Sequence, residues 1–335
     1  MKRRNFIRNS SRAGIAVSLL GVYACKEAKK ENAKEQTGEG LDTQSNMEDA
    51  SPFFELSLAQ WSIHKMIKND GVDPYTFAEK AKKWGFTGLE YVSQLYNPEL
   101  SDAGYSEEAM AAFVEKSNAE AKKHGLKNVL IMIDGQGNLA VDDAQERKEA
   151  IEKHHKWVDA AAAMGCHSIR VNLAGTNDPV KWKNNSVASL KELGAYAKGK
   201  NINIIVENHG GLSSNGAMLA DVMATANMDN CGTLPDFGNF CIKRKKGSYE
   251  CEEQYDFYKG VEELMPYAKG VSAKSHDFDA SGDETEIDYV KMLQIVKEAG
   301  YTGFVGVEYE GSELGEEAGI LATKDLLLKA AKELS

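Results

Sequence analysis

The chain has 335 residues, with 40 Lys and Arg against 51 Asp and Glu and a formal net charge of -11 at pH 7. With no clustered basic patch to meet a phosphate backbone, that balance excludes nucleic acid as a partner and favours a small neutral or weakly charged one.

Taken from the start, Lys2-Arg3-Arg4-Asn5-Phe6-Ile7-Arg8 is a basic stretch with a twin-arginine look, followed by an apolar run from Ala13 to Ala24 that is too short to span a bilayer. Residues 1–25 therefore read as an export signal. Val22-Tyr23-Ala24-Cys25 resembles a lipoprotein cleavage box, which makes Cys25 the candidate lipid-bearing residue; an ordinary signal peptide with a leftover cysteine is the other reading. The expected location is periplasmic, or at a membrane through the lipid anchor alone. Residues 26–52 are rich in Lys, Glu, Asn, Gln and Ser with little to bury, so they cannot offset the entropy of ordering and are expected to form a flexible tether. The folded domain is expected over 53–335.

Within that domain, strands are predicted at Leu56 to Ser62, Asn128 to Asp134, Asn203 to Asn208, Cys231 to Asp236 and Gly270 to Ser275. Three further strands follow joints in which a helix ends in Gly: Trp84-Gly85-Phe86, Met164-Gly165-Cys166 and Ala299-Gly300-Tyr301. Gly at such a place takes the left-handed conformation that other residues resist. Helical patterns run over Pro74 to Trp84, Glu107 to His124, Ala144 to Met164, Val187 to Lys198 and Tyr289 to Ala299. Eight alternating βα units in a domain of this length predict an α/β fold, the (β/α)8 TIM barrel. A doubly wound open sheet is the alternative, but no Gly-x-Gly-x-x-Gly follows the first strand.

Chemistry in such a barrel belongs at the C-terminal ends of the strands. Glu207, Asp236, His276 and Glu308 close predicted strands five, six, seven and eight. Singly, each reads as a helix cap or an ion-pair partner. Together, three carboxylates and an imidazole converging on one point would repel without a counter-ion, so the four read as ligands of one divalent metal ion, Mn²⁺, Mg²⁺ or Co²⁺, with Zn²⁺ also possible. Gln60 and Trp61 on strand one, Glu90 on strand two, Arg170 and Asn172 on strand four, and His209, Asn239 and Lys274 beside the proposed ligands are candidate substrate contacts. Packing roles stand beside these: Trp61 as a barrel-mouth aromatic, His209 as a satisfied core histidine, Lys274 as the partner of Asp277 or Glu308. Cys166, Cys231, Cys241 and Cys251 contain no C-x-x-C pair; Cys241 and Cys251 either bridge the loop between them or remain free thiols. Lys243-Arg244-Lys245-Lys246 reads as a solvated loop, with a lid over the pocket as the alternative.

Val206-Glu207-Asn208-His209-Gly210-Gly211, Leu234-Pro235-Asp236-Phe237-Gly238-Asn239 and Gly306-Val307-Glu308-Tyr309-Glu310-Gly311 resemble the hallmark segments of the xylose-isomerase-like TIM-barrel superfamily, the sugar phosphate isomerase/epimerase group. The resemblance runs from Phe53 to the C-terminus. It implies a divalent ion held by Glu207, Asp236, His276 and Glu308, with Glu207 and Glu308 acting as acid and base across a sugar. Two departures stand out. Asn239 occupies a position that is usually His in the epimerases, and Lys274 precedes His276 where many members read His-x-Lys-Asp, which leaves open whether His276 or Ser272 faces the metal. The implied activity is isomerisation or epimerisation of a carbohydrate by enediolate-type proton transfer. An export signal and the lack of a phosphate cradle favour a neutral sugar or sugar derivative over a sugar phosphate. A 3-keto-glycoside lyase or hydratase and a non-catalytic sugar-binding barrel are the alternatives.

Overall fold

The structure is a computed structural model and describes residues 51–335. The expected export signal, Cys25 and nearly all of the tether lie outside the described residues. Among these residues the strands are β1 (Glu55–Ala59), β2 (Gly88–Val92), β3 (Lys127–Met132), β4 (Ser168–Val171), β5 (Asn203–Glu207), β6 (Cys231–Leu234), β7 (Cys241–Arg244), β8 (Cys251–Gln254), β9 (Val271–Ser275) and β10 (Phe304–Tyr309). Eight of them pair in parallel in the order β6-β5-β4-β3-β2-β1-β10-β9. The two ends meet through bridges between Thr233 and Ala268 and between Asp236 and Ser272, where Ser272 N–H donates to the Pro235 carbonyl at 2.9 Å and Phe237 N–H to the Ser272 carbonyl at 3.0 Å. The closed ring with its covering helices is the TIM barrel. Barrel strands five to eight are thus β5, β6, β9 and β10.

The helices are α1 (His64–Lys68), α2 (Phe77–Lys83), α3 (Asn97–Asp102), α4 (Glu107–His124), α5 (Ala144–Met164), α6 (Pro179–Lys198), α7 (Gly216–Ala226), α8 (Phe257–Leu264), α9 (Tyr289–Glu298) and α10 (Glu316–Glu333). Their starts are set by side-chain caps: Asp143, Asp178, Asp256 and Asp288 accept from backbone N–H groups of the first turns of α5, α6, α8 and α9. At the expected joints Gly85, Gly165 and Gly300 all have positive φ, between 73° and 85°.

Several boundaries differ from the sequence expectation. Gln60 and Trp61 lie not on strand one but in a 3-10 turn (Gln60–Ile63) that follows it. Asp134, Asn208, Asp236 and His276 follow their strands rather than close them. Helix α6 begins at Pro179, well before Val187, because Asp178 caps it and Pro fits the first helical position; its polar first turns hide the periodicity. Helices α1, α3, α7, α8 and α10 are not among the helical patterns expected from the sequence. The expected basic loop is an antiparallel hairpin, β7–β8, tied by a Cys241–Cys251 disulfide with Cα atoms 5.7 Å apart.

The barrel interior is apolar below and acidic above. Leu130, Ile205 and Leu234 are fully buried and meet inside the barrel, where a Cβ on Gly270 would lie within 4 Å of all three; Ser57 is buried as well, and its hydroxyl donates to Glu90 Oε1 at 2.6 Å. Glu90 needs the room left by Gly306: a Cβ there would lie 2.5 Å from both Glu90 carboxylate oxygens. Glycine at 306 is thus required by close approach rather than by backbone angle. Gly306→Ala is expected to destabilise the fold by about 1–3 kcal/mol through overpacking, read as a lower urea midpoint with an unchanged denaturant slope.

Candidate active site

At the C-terminal end of the barrel, Glu207 from β5, Asp236 just past β6 and Glu308 from β10 bring carboxylate oxygens within 4.8 Å of one another. All three are buried. Glu308 lines a cavity of about 670 Å³, as do Arg170 and Asn239, the neighbours of Glu207, and Gly238, whose N–H is held by Asp236.

Each carboxylate is held by its surroundings. Asp236 Oδ1 accepts from the backbone N–H groups of Gly238 and Asn239 at 2.9 and 2.8 Å, and its Oδ2 from Ser272 Oγ at 2.7 Å. Ser272 also stands 3.4 Å from Glu308 Oε2. Glu207 Oε1 accepts from Asn239 Nδ2 at 2.8 Å, and its Oε2 lies 2.8 Å from Arg170 Nε. Arg170 also pairs with Asp134 at 2.9 Å. Lys274, 2% exposed, places Nζ 2.9 Å from Glu308 Oε1, 2.9 Å from Glu310 Oε2 and 3.9 Å from Asp236 Oδ2.

The charge count is unbalanced. Glu207, Asp236 and Glu308 are buried beside two buried cations, Arg170 and Lys274, which also serve Asp134 and Glu310. Burial pushes the Glu207 carboxyl up to about 7, with Arg170 opposing and Glu308 reinforcing. Asp236 is also pushed up to about 7 by burial, against the pull of Lys274. For Glu310 burial acts the same way but Lys274 outweighs it and holds the carboxyl down at about 2. A deficit of positive charge at three adjacent carboxylates fits a divalent cation, and an all-oxygen donor set fits a hard ion such as Mg²⁺ or Mn²⁺ better than structural zinc.

The remaining expected residues divide by position. His276 follows the end of β9 and lines the cavity, but its ring nitrogens are not in the carboxylate cluster; the β9 side chain that reaches the cluster is Ser272. Trp61, Arg170, His209, Asn239 and Lys274 line the cavity. Trp61 stacks on His64, ring centroids 4.3 Å apart, and its indole N–H donates to Glu310. Asn172 donates to Asp134 at 2.9 Å. Gln60 is fully buried and ties three segments together: it donates to Tyr96 Oη at 2.8 Å and the Pro74 carbonyl at 3.1 Å and accepts from Val92 N–H at 3.1 Å. Glu90 lies beneath the cavity on Ser57. Sequence reasoning gave no role to Asp134 or Glu310. Glu310, one residue past β10, is two residues beyond Glu308 and so continues the same side of the chain, which is the signal that finds it.

The family described as Xylose isomerase-like TIM barrel matches residues 78–330, and the chain belongs to it. No curated protein matches the chain. Among solved structures it is similar to the IOLI protein with a bound zinc atom (TM-score 0.64, 17% identity, covering 84% of this chain and 99% of that one). It is also similar to D-psicose 3-epimerase with D-tagatose from Clostridium cellulolyticum H10 (TM-score 0.58, 14% identity, 84% and 96%) and to 3-keto-D-glucoside 4-epimerase from E. coli (TM-score 0.59, 14% identity, 82% and 98%). At these identities the likeness is one of fold.

The buried acid beneath the site gives a pH test. Burial, reinforced by Glu308 and Glu207 and opposed by the Ser57 hydrogen bond, pushes Glu90 up to about 8 from its ordinary 4.5. The folded protein therefore holds this proton more tightly than the unfolded chain, so the stabilisation is complete below pH 4.5 and is lost as pH rises through about 8. Glu90→Gln stays neutral throughout, and urea unfolding at pH 5 and pH 9 is expected to show a smaller loss of stability for the variant than for the parent.

Proposed function

We propose that the chain is a metal-dependent sugar isomerase or epimerase acting on a neutral sugar or sugar derivative. The observation that carries this reading is the cluster of Glu207, Asp236 and Glu308, buried together at the catalytic end of the barrel under an open polar cavity. The epimerases among its structural neighbours support the sugar class, and the zinc in one of them supports a metal.

Glu207, Asp236 and Glu308 would hold the ion. When bound, a divalent ion supplies Lewis-acid polarisation of a carbonyl and lowers the energy of charge developing on its oxygen. The chain's own groups do the rest. Glu207 and Glu308 come from β5 and β10, strands that are not neighbours in the sheet, so a sugar seated over the cluster meets one from each side. One takes a proton from the carbon beside the carbonyl, and the other returns a proton to the opposite face or to the adjacent carbon. Asn239 fixes Glu207 through one oxygen and Arg170 stands at the other. Lys274 presents a buried positive charge beside Glu308. His209 opens onto the cavity, and Trp61, braced by Glu310, offers a ring to an apolar sugar face.

Export and lipid anchoring at Cys25 belong to the same reading; the Cys241–Cys251 disulfide supports an oxidising compartment. Such a location suits a neutral sugar.

The test is proton exchange. Purified residues 53–335, loaded with Mn²⁺ and incubated in D₂O with a panel of neutral sugars and 3-keto-glycosides, are expected to incorporate deuterium at one carbon of the true substrate. Glu207→Gln and Glu308→Gln should each slow that exchange by about 10²–10⁴-fold, with metal content measured alongside so that a lost ion is not mistaken for a lost base. A variant that keeps its metal and exchanges at the parental rate would remove that glutamate from the proton-transfer role.

A further inference from the structure

Hairpin β7–β8 grows directly out of the site. Asn239, which fixes Glu207, is two residues from Cys241, where the hairpin begins. Its base is rigid. Phe240 is fully buried and packs where a Cβ on Gly260 of α8 would stand 2.1 Å from the Phe240 ring, Tyr255 N–H donates to the Phe240 carbonyl at 2.9 Å, and the disulfide joins the two strands. Its far end is shaped as well. Arg244 donates to the Tyr249 carbonyl at 2.6 Å, Lys245 N–H to the Glu250 carbonyl at 2.9 Å, and Gly247 turns the chain with φ 74°.

This braced arm leaves Tyr249 92% exposed, the most exposed large apolar side chain among the described residues, yet Tyr249, Arg244 and Cys241 all line the same cavity as Glu308 and Trp61. An aromatic ring held in water at the mouth of a binding cavity gains apolar contact only when something covers it. The cavity, about 670 Å³, lies within the ~300–1,000 Å³ typical of small-molecule sites. One aromatic, Trp61, stands beside the carboxylate floor, and the second belongs to the arm.

Resting on the reading of the floor as a sugar site, we infer that the disulfide-tied hairpin forms an outer subsite, in which Tyr249 stacks on, and Arg244 hydrogen-bonds to, the second ring of a glycoside. The substrate class is then a glycoside rather than a free monosaccharide. The first sugar ring sits over Glu207, Asp236 and Glu308, and the ring it is linked to lies against Tyr249. The disulfide serves this subsite by holding the arm in place.

Saturation-transfer NMR affinities for glucose, phenyl β-glucoside and cellobiose, measured on the Mg²⁺-loaded folded domain, test this. The parent is expected to bind the two-ring ligands at least tenfold more tightly than glucose. Tyr249→Ala should reduce that ratio about tenfold, Tyr249→Trp should retain it, and the Cys241→Ser, Cys251→Ser double variant should lower it. Tyr249 is exposed, so its substitution leaves the fold intact, and unfolding curves verify that. If the parent prefers two rings and Tyr249→Ala keeps the same ratio, the hairpin subsite is overturned while the sugar site stands. Failure of the parent to bind any of the three would overturn the carbohydrate reading and the subsite with it.

Discussion

Negative charge forced into one small volume is the constraint around which the upper barrel is organised. Three carboxylates, Glu207, Asp236 and Glu308, are buried in a single cluster above Glu90, whose carboxyl burial pushes up to about 8, and each unpaired buried charge is costly. The neighbouring residues answer that excess. Arg170 is clamped between Asp134 and Glu207, and Lys274 spans Glu308 and Glu310. Two backbone N–H groups and the Ser272 hydroxyl serve Asp236, and Ser272 also reaches Glu308. Even the absence of a side chain at residue 306 follows, since Glu90 occupies that space. A purely structural core has no use for such an arrangement: apolar residues of similar volume would fill the barrel more cheaply.

The departures from the family pattern become intelligible in the same terms. Where an imidazole was expected, Asn239 supplies an amide N–H to Glu207 and a backbone N–H to Asp236, so its role is to position carboxylates. On β9 the residue facing the cluster is a hydroxyl, Ser272, and an ammonium two residues further on carries the positive charge. The donor set is therefore made of oxygens, and a fixed cation stands at its edge. This arrangement is harder, in the sense of ligand chemistry, than one containing histidine.

Much of this was legible in the sequence because barrel geometry is periodic. Glycine-ended helices at Gly85, Gly165 and Gly300 marked the repeat, and strand-end placement singled out Glu207, Asp236 and Glu308 before any distance was known. What was not legible depends on details that alternation does not encode. Where each strand stops decided that Gln60 enters a 3-10 turn and braces Tyr96 and Val92 instead of reaching the cavity. His276, just past β9, lines the cavity while lying outside the carboxylate cluster. The pairing of Cys241 with Cys251, and the hairpin it ties, required long-range geometry that spacing alone leaves undetermined. Lys274 was visible as a candidate, and its pairing with Glu308 was one of the expected roles, but its contacts with Asp236 and Glu310 emerge only from the folded barrel.

The central claim is that the carboxylate cluster holds a divalent ion. Calorimetric titration of Mn²⁺ into the ion-stripped domain, beside the Asp236→Asn variant, tests it most directly. One ion per chain in the parent, with affinity lowered at least tenfold in the variant, is the predicted result. Equal Mn²⁺ affinity in the two proteins, or no saturable binding in the parent, would contradict it and leave Lys274 and Arg170 as the cluster's only cations.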